Sequence, residues 1–369
     1  MSTDLTPFSA RPGFVADAAT GVAAHYGNPF VEQRELLAGR AVVELGDRGV
    51  ITVMGPDRLS WLDSLTSQAL KGLAPGESTE TLLLDPSGRI EHAARVVDDG
   101  ETTWLLVEAS ETEAFASWLD RMRFTLRVEV ADRSADFRAL ASFADPGIPA
   151  AAPAGVALVW VDPWAEVSVG GVGYAAEAGH AGRGWTLRET LVARADLAGI
   201  AASEIPVAGV VALEALRIAA WRPRLSTEVD ERSIPHELDW LRSAVHLAKG
   251  CYRGQETVAK VHNLGHPPRR LVMLHLDGSD NVLPPHGAPV FAGGPGERRE
   301  IGAITSSATH FELGPIALAV VKRTAPVDES FVVVWDDTEI AAGQEVVVPP
   351  EAGAAAGVPR LSRLGAVRR

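Results

Sequence analysis

The chain has one cysteine, Cys251, set in the stretch KGCYRGQE. Lys249 and Arg253 stand two positions to either side, and Gly250 and Gly254 are close by. The thiolate is the reactive and metal-binding form of cysteine, and a cation at the sulfur lowers its pKa below the free value of about 8.5. The glycines allow a tight turn that brings backbone amides toward a ligand. The following residues, GQETVAKVHNLG, predict a helix from near Gly254 that stops at Gly265. Cys251 then lies just ahead of a helix N-terminus, which favours a thiolate or a bound anion. The competing reading is a small buried thiol with no chemistry, a common state of free cysteine. A Cys–His pair with His246 or His262 is a further option, but closeness in sequence fixes no geometry.

Other chemistries are excluded. A structural zinc site needs four ligands at tight spacing. An iron–sulfur cluster held by this chain alone would need about four cysteines, so Cys251 offers at most one ligand to a shared or transient cluster. The sequence contains neither a G-x-S-x-G elbow nor a G-x-x-x-x-G-K-[ST] loop.

The elements that must position this loop are legible in part. GPDRLSWLDSLTSQAL predicts a helix opened by Asp57, with Leu59, Leu62, Leu65 and Ala69 on one face. TLLL-DPSG-RIEHAARVV predicts two strands joined by a turn at Asp85 to Gly88. A strand in TTWLLVEA leads to a helix with a Ser110–Glu113 capping box, and TLRVEVAD closes the unit as a strand. The expected organisation is a first α+β part over 1–144, an Ala/Pro/Gly-rich loop over 145–158, and a second α+β part over 159–268 that ends in the cysteine loop. The second part includes a helix in PVAGVVALEALRIAAW. Short β-type runs over 269–348 predict a small all-β barrel or sandwich, and 349–369 reads as a mobile tail.

Composition sets the class. A hydrophobic content of 46% with 22% charged residues fits a globular protein of 369 residues with two or three packed units. No signal-like start or long apolar run is present, so the expected setting is cytoplasmic, without a membrane partner. A net charge of −14 argues against broad nucleic-acid binding, direct tRNA binding included. Between His246 and Arg270, however, Lys249, Arg253, Lys260, Arg269 and Arg270 face one acid, Glu256. That stretch reads as a site for a specific anion or as a solvated basic face.

KGCYRGQE resembles the K-G-C-[YF]-x-G-Q-E signature of the YgfZ family of folate-binding proteins, relatives of the glycine-cleavage T-protein (aminomethyltransferase). WLDSLTSQAL, LLLDPSGRI, LRIAAWRPRLSTEVDERSIPHELDW and GAITSSATHFELGPIALAVVKR resemble other family segments in the same order, over roughly residues 40 to 345. The resemblance implies an α+β fold of three domains in a ring around a folate channel, closed by a C-terminal β-barrel. It implies a tetrahydrofolate-type cofactor and a role in maturing or repairing iron–sulfur enzymes, and through one of them tRNA modification. Folate, iron–sulfur enzymes and assembly proteins are then the expected partners. Cys251 is the expected functional residue, within the loop of Lys249, Gly250, Tyr252, Arg253, Gly254, Gln255 and Glu256. The alternatives are a tetrahydrofolate-dependent aminomethyltransferase and a binding module without catalysis.

Two departures bear on mechanism. After Gly88-Arg89-Ile90 this chain has Glu91 and His92 where T-proteins carry an Asp pair. Aminomethyl transfer is therefore expected to be absent. Ala219 stands where T-proteins place a pterin-binding glutamate, and an unpaired pterin donor costs about 1–3 kcal/mol. Glu214 and Glu237 are the nearest carboxylates that could substitute. Trp221 offers a ring-stacking face or is a core tryptophan. Arg89, Arg217 and Arg222 are candidates for a folate's carboxylate tail, or members of ordinary ion pairs.

Overall fold

The computed structural model describes residues 6–279, 282–294 and 296–357. A short hairpin, β1 (Val15–Ala16) and β2 (Ala23–His25), precedes helix α1 (Pro29–Leu37). Strand β3 (Val43–Leu45) follows and pairs with the second layer; the first α+β layer then runs β4 (Arg48–Met54), α2 (Arg58–Leu65), β5 (Ser78–Leu84), β6 (Ile90–Asp98), β7 (Thr102–Glu108), α3 (Thr112–Met122) and β8 (Glu129–Asp132). The second comprises β9 (Phe137–Ser142), β10 (Val159–Val161), β11 (Arg188–Ala193), α4 (Leu197–Ala202), α5 (Val210–Ala219), α6 (Leu225–Glu228), α7 (Leu241–Ala244) and α8 (Gln255–Leu264). Strands β12 (Arg269–Leu276), β13 (Pro289–Ala292), β14 (Arg299–His310), β15 (Gly314–Lys322), β16 (Phe331–Trp335) and β17 (Thr338–Val346) complete the chain.

Two sheets share a central core. The five-stranded sheet has the order β5-β6-β7-β4-β8, and the four-stranded sheet β10-β11-β9-β3. Alternation along each strand divides the apolar residues between two faces. Ile51, Val53, Leu105 and Val107 pack against Trp61, Leu62, Phe115 and Leu119 of α2 and α3. Their neighbours Val50, Trp104 and Leu106 enter a second core with Trp160, Trp164, Leu191 and Leu216. Every residue of β7 is buried for this reason. The same rule operates in β12, where Leu271 and Met273 join the central core while Val272 and Leu274 fill the barrel. Barrel and layers are thus fused through one strand.

The C-terminal strands close into a six-stranded barrel in the order β12-β15-β14-β13-β16-β17. Closure leaves no exposed sheet edge. The sequence pattern missed β13, four residues entered by a proline, and the first half of β17. Asp336 and Asp337 both take positive φ, at 49° and 59°, and so join β16 to β17 by a two-residue turn.

Local differences have plain causes. Asp57 sits at the N-cap of α2 but makes no cap bond, because its carboxylate pairs with Arg127. That helix ends at Leu65, leaving Ala69 exposed beyond it. No Ser110 capping box forms: a 3-10 turn spans Ala109–Glu111 and α3 starts at Thr112. Residues 349–357, expected to begin a tail, instead cap α8, with the Ala355 and Ala356 amides donating to the His262 and Asn263 carbonyls at 2.9 and 3.1 Å. The rest of the expected tail, 358–369, lies outside the described residues.

Candidate functional site

Cys251 is exposed, in the loop before α8. The loop is held from three sides. Gly254 has φ +84°, and a Cβ there would meet the Asp85 carbonyl oxygen at 2.6 Å. Only glycine lets the loop backbone lie this close to the β5–β6 turn. Lys249 points inward, and its Nζ donates to the Thr66 and Gln68 carbonyls at 2.8 and 2.7 Å and to the Asp63 carbonyl. The cation thereby serves orphan carbonyls at the C-terminal end of α2. Arg253 pairs with Glu91 on β6 and lies 5.8 Å over the Trp118 ring.

Both cations flanking the sulfur are therefore committed elsewhere. Tyr252 is buried with its ring 5.3 Å from Lys249 Nζ, and burial pushes its phenol up to about 12. Gln255 donates to the Lys249 carbonyl at 3.3 Å, while Gly250 and Glu256 face solvent. His262 meets the Tyr174 hydroxyl at 3.0 Å, and His246 Nδ1 accepts from the Ala248 amide. Neither ring is bonded to the cysteine.

A separate feature opens to solvent away from this loop. A cavity of about 1210 Å³ is lined by the β1–β2 and α1 region, the strand ends at Asp47 and Glu108, the start of α5, Arg224, and barrel residues such as Thr309. Glu32 accepts the Tyr26 and Gly209 amides, each at 2.8 Å, tying the N-terminal segment to the start of α5. Asp17, Asp47, Glu108 and Glu214 face the cavity with Arg224, and Phe30, Val211 and Leu283 are half-exposed apolar residues of its lining. Burial raises the Glu214 carboxyl, but Arg217 and Arg224 more than offset this and hold it at about 2. Asp47 is likewise held below its usual range by Arg48 and Arg224 against burial. Glu214 and Asp47 are therefore ionised at neutral pH and act purely as acceptors. Such a wall suits a ligand rich in N–H donors.

The residues singled out from the sequence are not brought together in one place. Glu214 lines the cavity; Cys251 does not. Arg89 is exposed on the β5–β6 turn. Arg217 is buried between Glu214 and Glu228, and Arg222 between Glu80 and Asp162, so both guanidiniums are ion-paired internally, though Arg222 Nη1 has no hydrogen-bond partner. Trp221 is buried at φ +59° with Nε1 3.0 Å from Met273 Sδ, joining α5 to the barrel. Glu237 is fully buried and pairs with Arg269. Asp17, Asp47, Glu108 and Arg224 were not legible as site residues. They sit singly at strand ends and in loops, and no spacing links them.

Comparison with known proteins was made on this geometry. Residues 269–354 match the glycine cleavage T-protein C-terminal barrel domain. A crystal structure of the glycine cleavage system aminomethyltransferase T from Bartonella henselae superposes with a TM-score of 0.71 at 18% identity, over 94% of this chain and 96% of that one. This is the aminomethyltransferase-like fold. An aminomethyltransferase of Geobacillus kaustophilus is 28% identical over 79% of this chain and 82% of its own. A chloroplastic putative transferase of Arabidopsis thaliana is 25% identical over 75% of this chain and 65% of its own. The cysteine loop docks on the β5–β6 turn, and the carboxylate of Glu91, on β6 just past it, is committed to Arg253. No helix among the described residues is long and apolar enough to cross a membrane.

Proposed function

We propose that this chain binds a reduced folate in the 1210 Å³ cavity and acts as an accessory protein for iron–sulfur enzymes, with Cys251 as the thiol presented to the partner. The observation that carries the folate part is the cavity wall. Asp47 and Glu214 are ionised acceptors on that wall, paired with Arg48 and Arg217, and they support a ligand that brings N–H donors; Ala219, in the place of the family glutamate, is not among the lining residues. The protein part rests on the exposure of Cys251 outside the cavity, together with its KGCYRGQE loop. A thiol that faces solvent can be offered to another protein's cluster or disulfide; one sealed in the cavity could not.

The second reading is tetrahydrofolate-dependent aminomethyl transfer, favoured by the names of the relatives. The commitment of Glu91 to Arg253 counts against it, since the carboxylate just past that turn is already ion-paired. Calorimetric titration with tetrahydrofolate tests the folate part, and its absence would end both enzymatic and accessory readings of the cavity. A Cys251→Ser chain expressed in cells lacking the native protein tests the thiol. Full support of iron–sulfur enzyme activity by that chain would reduce the sulfur to a surface residue. Ammonia release from an aminomethylated carrier protein would establish the transferase instead.

A further inference from the structure

A smaller void of about 60 Å³ adjoins the large cavity, and Asp47, Val210, Glu214 and Arg224 line both. Its far side includes Arg95, from the middle of β6, and Arg222. Among the described residues Arg95 Nε, Arg222 Nη1 and Arg224 Nε have no hydrogen-bond partner. The Arg222 side chain is 5% exposed and that of Arg95 16%. Arg95 Nε is 3.0 Å from Glu189 but out of line for a hydrogen bond, and Glu189 also serves Arg48. Arg224 is held loosely, 3.6 Å from both Asp47 and Glu214.

The acids that line the void are already filled. Asp162 accepts from the Trp164 amide, Trp185 Nε1 and Arg222 Nε at 3.0, 2.7 and 3.0 Å. Glu214 accepts from Arg217 at 2.6 and 2.9 Å, and Asp47 from Arg48 at 3.0 Å. What the void lacks is an acceptor, and buried N–H groups normally find one. Burial, with Arg48 and Arg222 close by, holds Arg95 below its usual range, and Glu189 and Glu108 do not offset this. One water needs about 10–15 Å³, so the void has room for about four small heavy atoms and excludes a ring.

We infer that this void binds a small planar oxyanion of the carboxylate or carbonate class, held between Arg95, Arg222 and Arg224. Guanidinium groups match such anions with paired N–H bonds. Arg224 stands between the void and the large cavity, so the ion enters as a free species when that side chain swings aside. The inference is independent of the folate reading and of Cys251.

The experiment titrates the intact protein with sodium formate at constant ionic strength, made up with gluconate, which is too large for the void. Tryptophan fluorescence reports binding, because the Trp160 ring lies 5.2 Å from Arg95 and the Trp164 ring 5.1 Å from Arg222. The expected result is a saturable change, with a thermal midpoint that rises with formate. In Arg95→Gln, which leaves Glu189 paired with Arg48, formate should bind about tenfold more weakly. Should circular dichroism show that variant unfolded, Arg224→Gln makes the same comparison. A response that does not saturate, or an equal midpoint in a folded variant, overturns the site and leaves the void to water. Benzoate that binds as tightly as formate would overturn the free ion and assign the arginines to the carboxylate end of a larger ligand. Failure of tetrahydrofolate to bind would bear on the folate reading alone.

Discussion

Arg253 donates to both carboxylate oxygens of Glu91, so the cysteine loop and strand β6 are joined across 162 residues of sequence. Glu91 follows Gly88-Arg89-Ile90, near the start of β6. Here it serves as a tether. The pair is about one-third exposed, and exposed ion pairs contribute about 0–1 kcal/mol. Glu91→Gln is therefore expected to leave urea-unfolding stability within about 1 kcal/mol of wild type. Tetrahydrofolate affinity, measured by calorimetry, should not change, because Glu91 is outside the cavity lining.

Gly254→Ala tests the docking of the loop on the turn. The residue is at φ +84°, and the new Cβ would sit 2.6 Å from a backbone oxygen. The left-handed conformation alone costs about 1–2 kcal/mol for a non-glycine residue. A loss of at least that size in urea unfolding is expected. Gly250→Ala, with nothing within 4 Å of the added atom, should be near neutral. Equal losses in the two variants would contradict the close approach seen at Gly254.

Lys249→Met leaves the Thr66, Gln68 and Asp63 carbonyls without their donor. Hydrogen bonds to a charged group contribute about 1.5–3 kcal/mol each, and solvent recovers part of this loss. A destabilisation of about 2–3 kcal/mol is expected, read as a lower urea midpoint. A neutral outcome would show that the ammonium is not holding the end of α2.

Stability should fall on acidification from pH 6.5 toward 4. Burial, aided at His180 by Arg242 and at His236 by His262, lowers both histidines to about 4. In that window the unfolded chain binds protons that the folded histidines refuse, so unfolding is favoured as pH drops. Asp239 acts oppositely between 3.8 and about 6, because burial keeps its carboxyl protonated in the folded state. Burial also raises Glu44 and Asp162, but it lowers His92, His262 and His310 as well, so the lowered histidines outnumber the raised carboxyls. Ion-paired acids such as Glu214 contribute only below about 4.5. The urea midpoint is expected to be lower at pH 5 than at pH 7, and His236→Gln should reduce that difference.

Glu214→Gln tests the cavity wall. It removes an acceptor charge while keeping the shape, and tetrahydrofolate affinity is expected to fall about tenfold, equal to about 1.4 kcal/mol. Circular dichroism would report whether the Arg217 network survives. Unchanged affinity in a folded variant would move the ligand's donors to another carboxylate.

Local sequence determined much of this protein. Apolar alternation placed β5 to β8 and most of the barrel strands, the Asp85–Gly88 turn joined β5 to β6, and Gly254 and Gly265 bounded α8, because these depend on residues a few positions apart. The signature made Cys251 conspicuous. The tertiary structure decided what each charge does. Lys249, Arg253, Arg269 and Arg270 read as a basic patch in sequence, yet each is drawn to a carbonyl or carboxylate from a distant element. The cavity acids came together from strand ends and loops up to 197 residues apart, from Asp17 to Glu214. Local periodicity reflects which face a residue shows. It carries no record of which distant charge that face will meet, since that pairing arises only when the layers and the barrel close on one core.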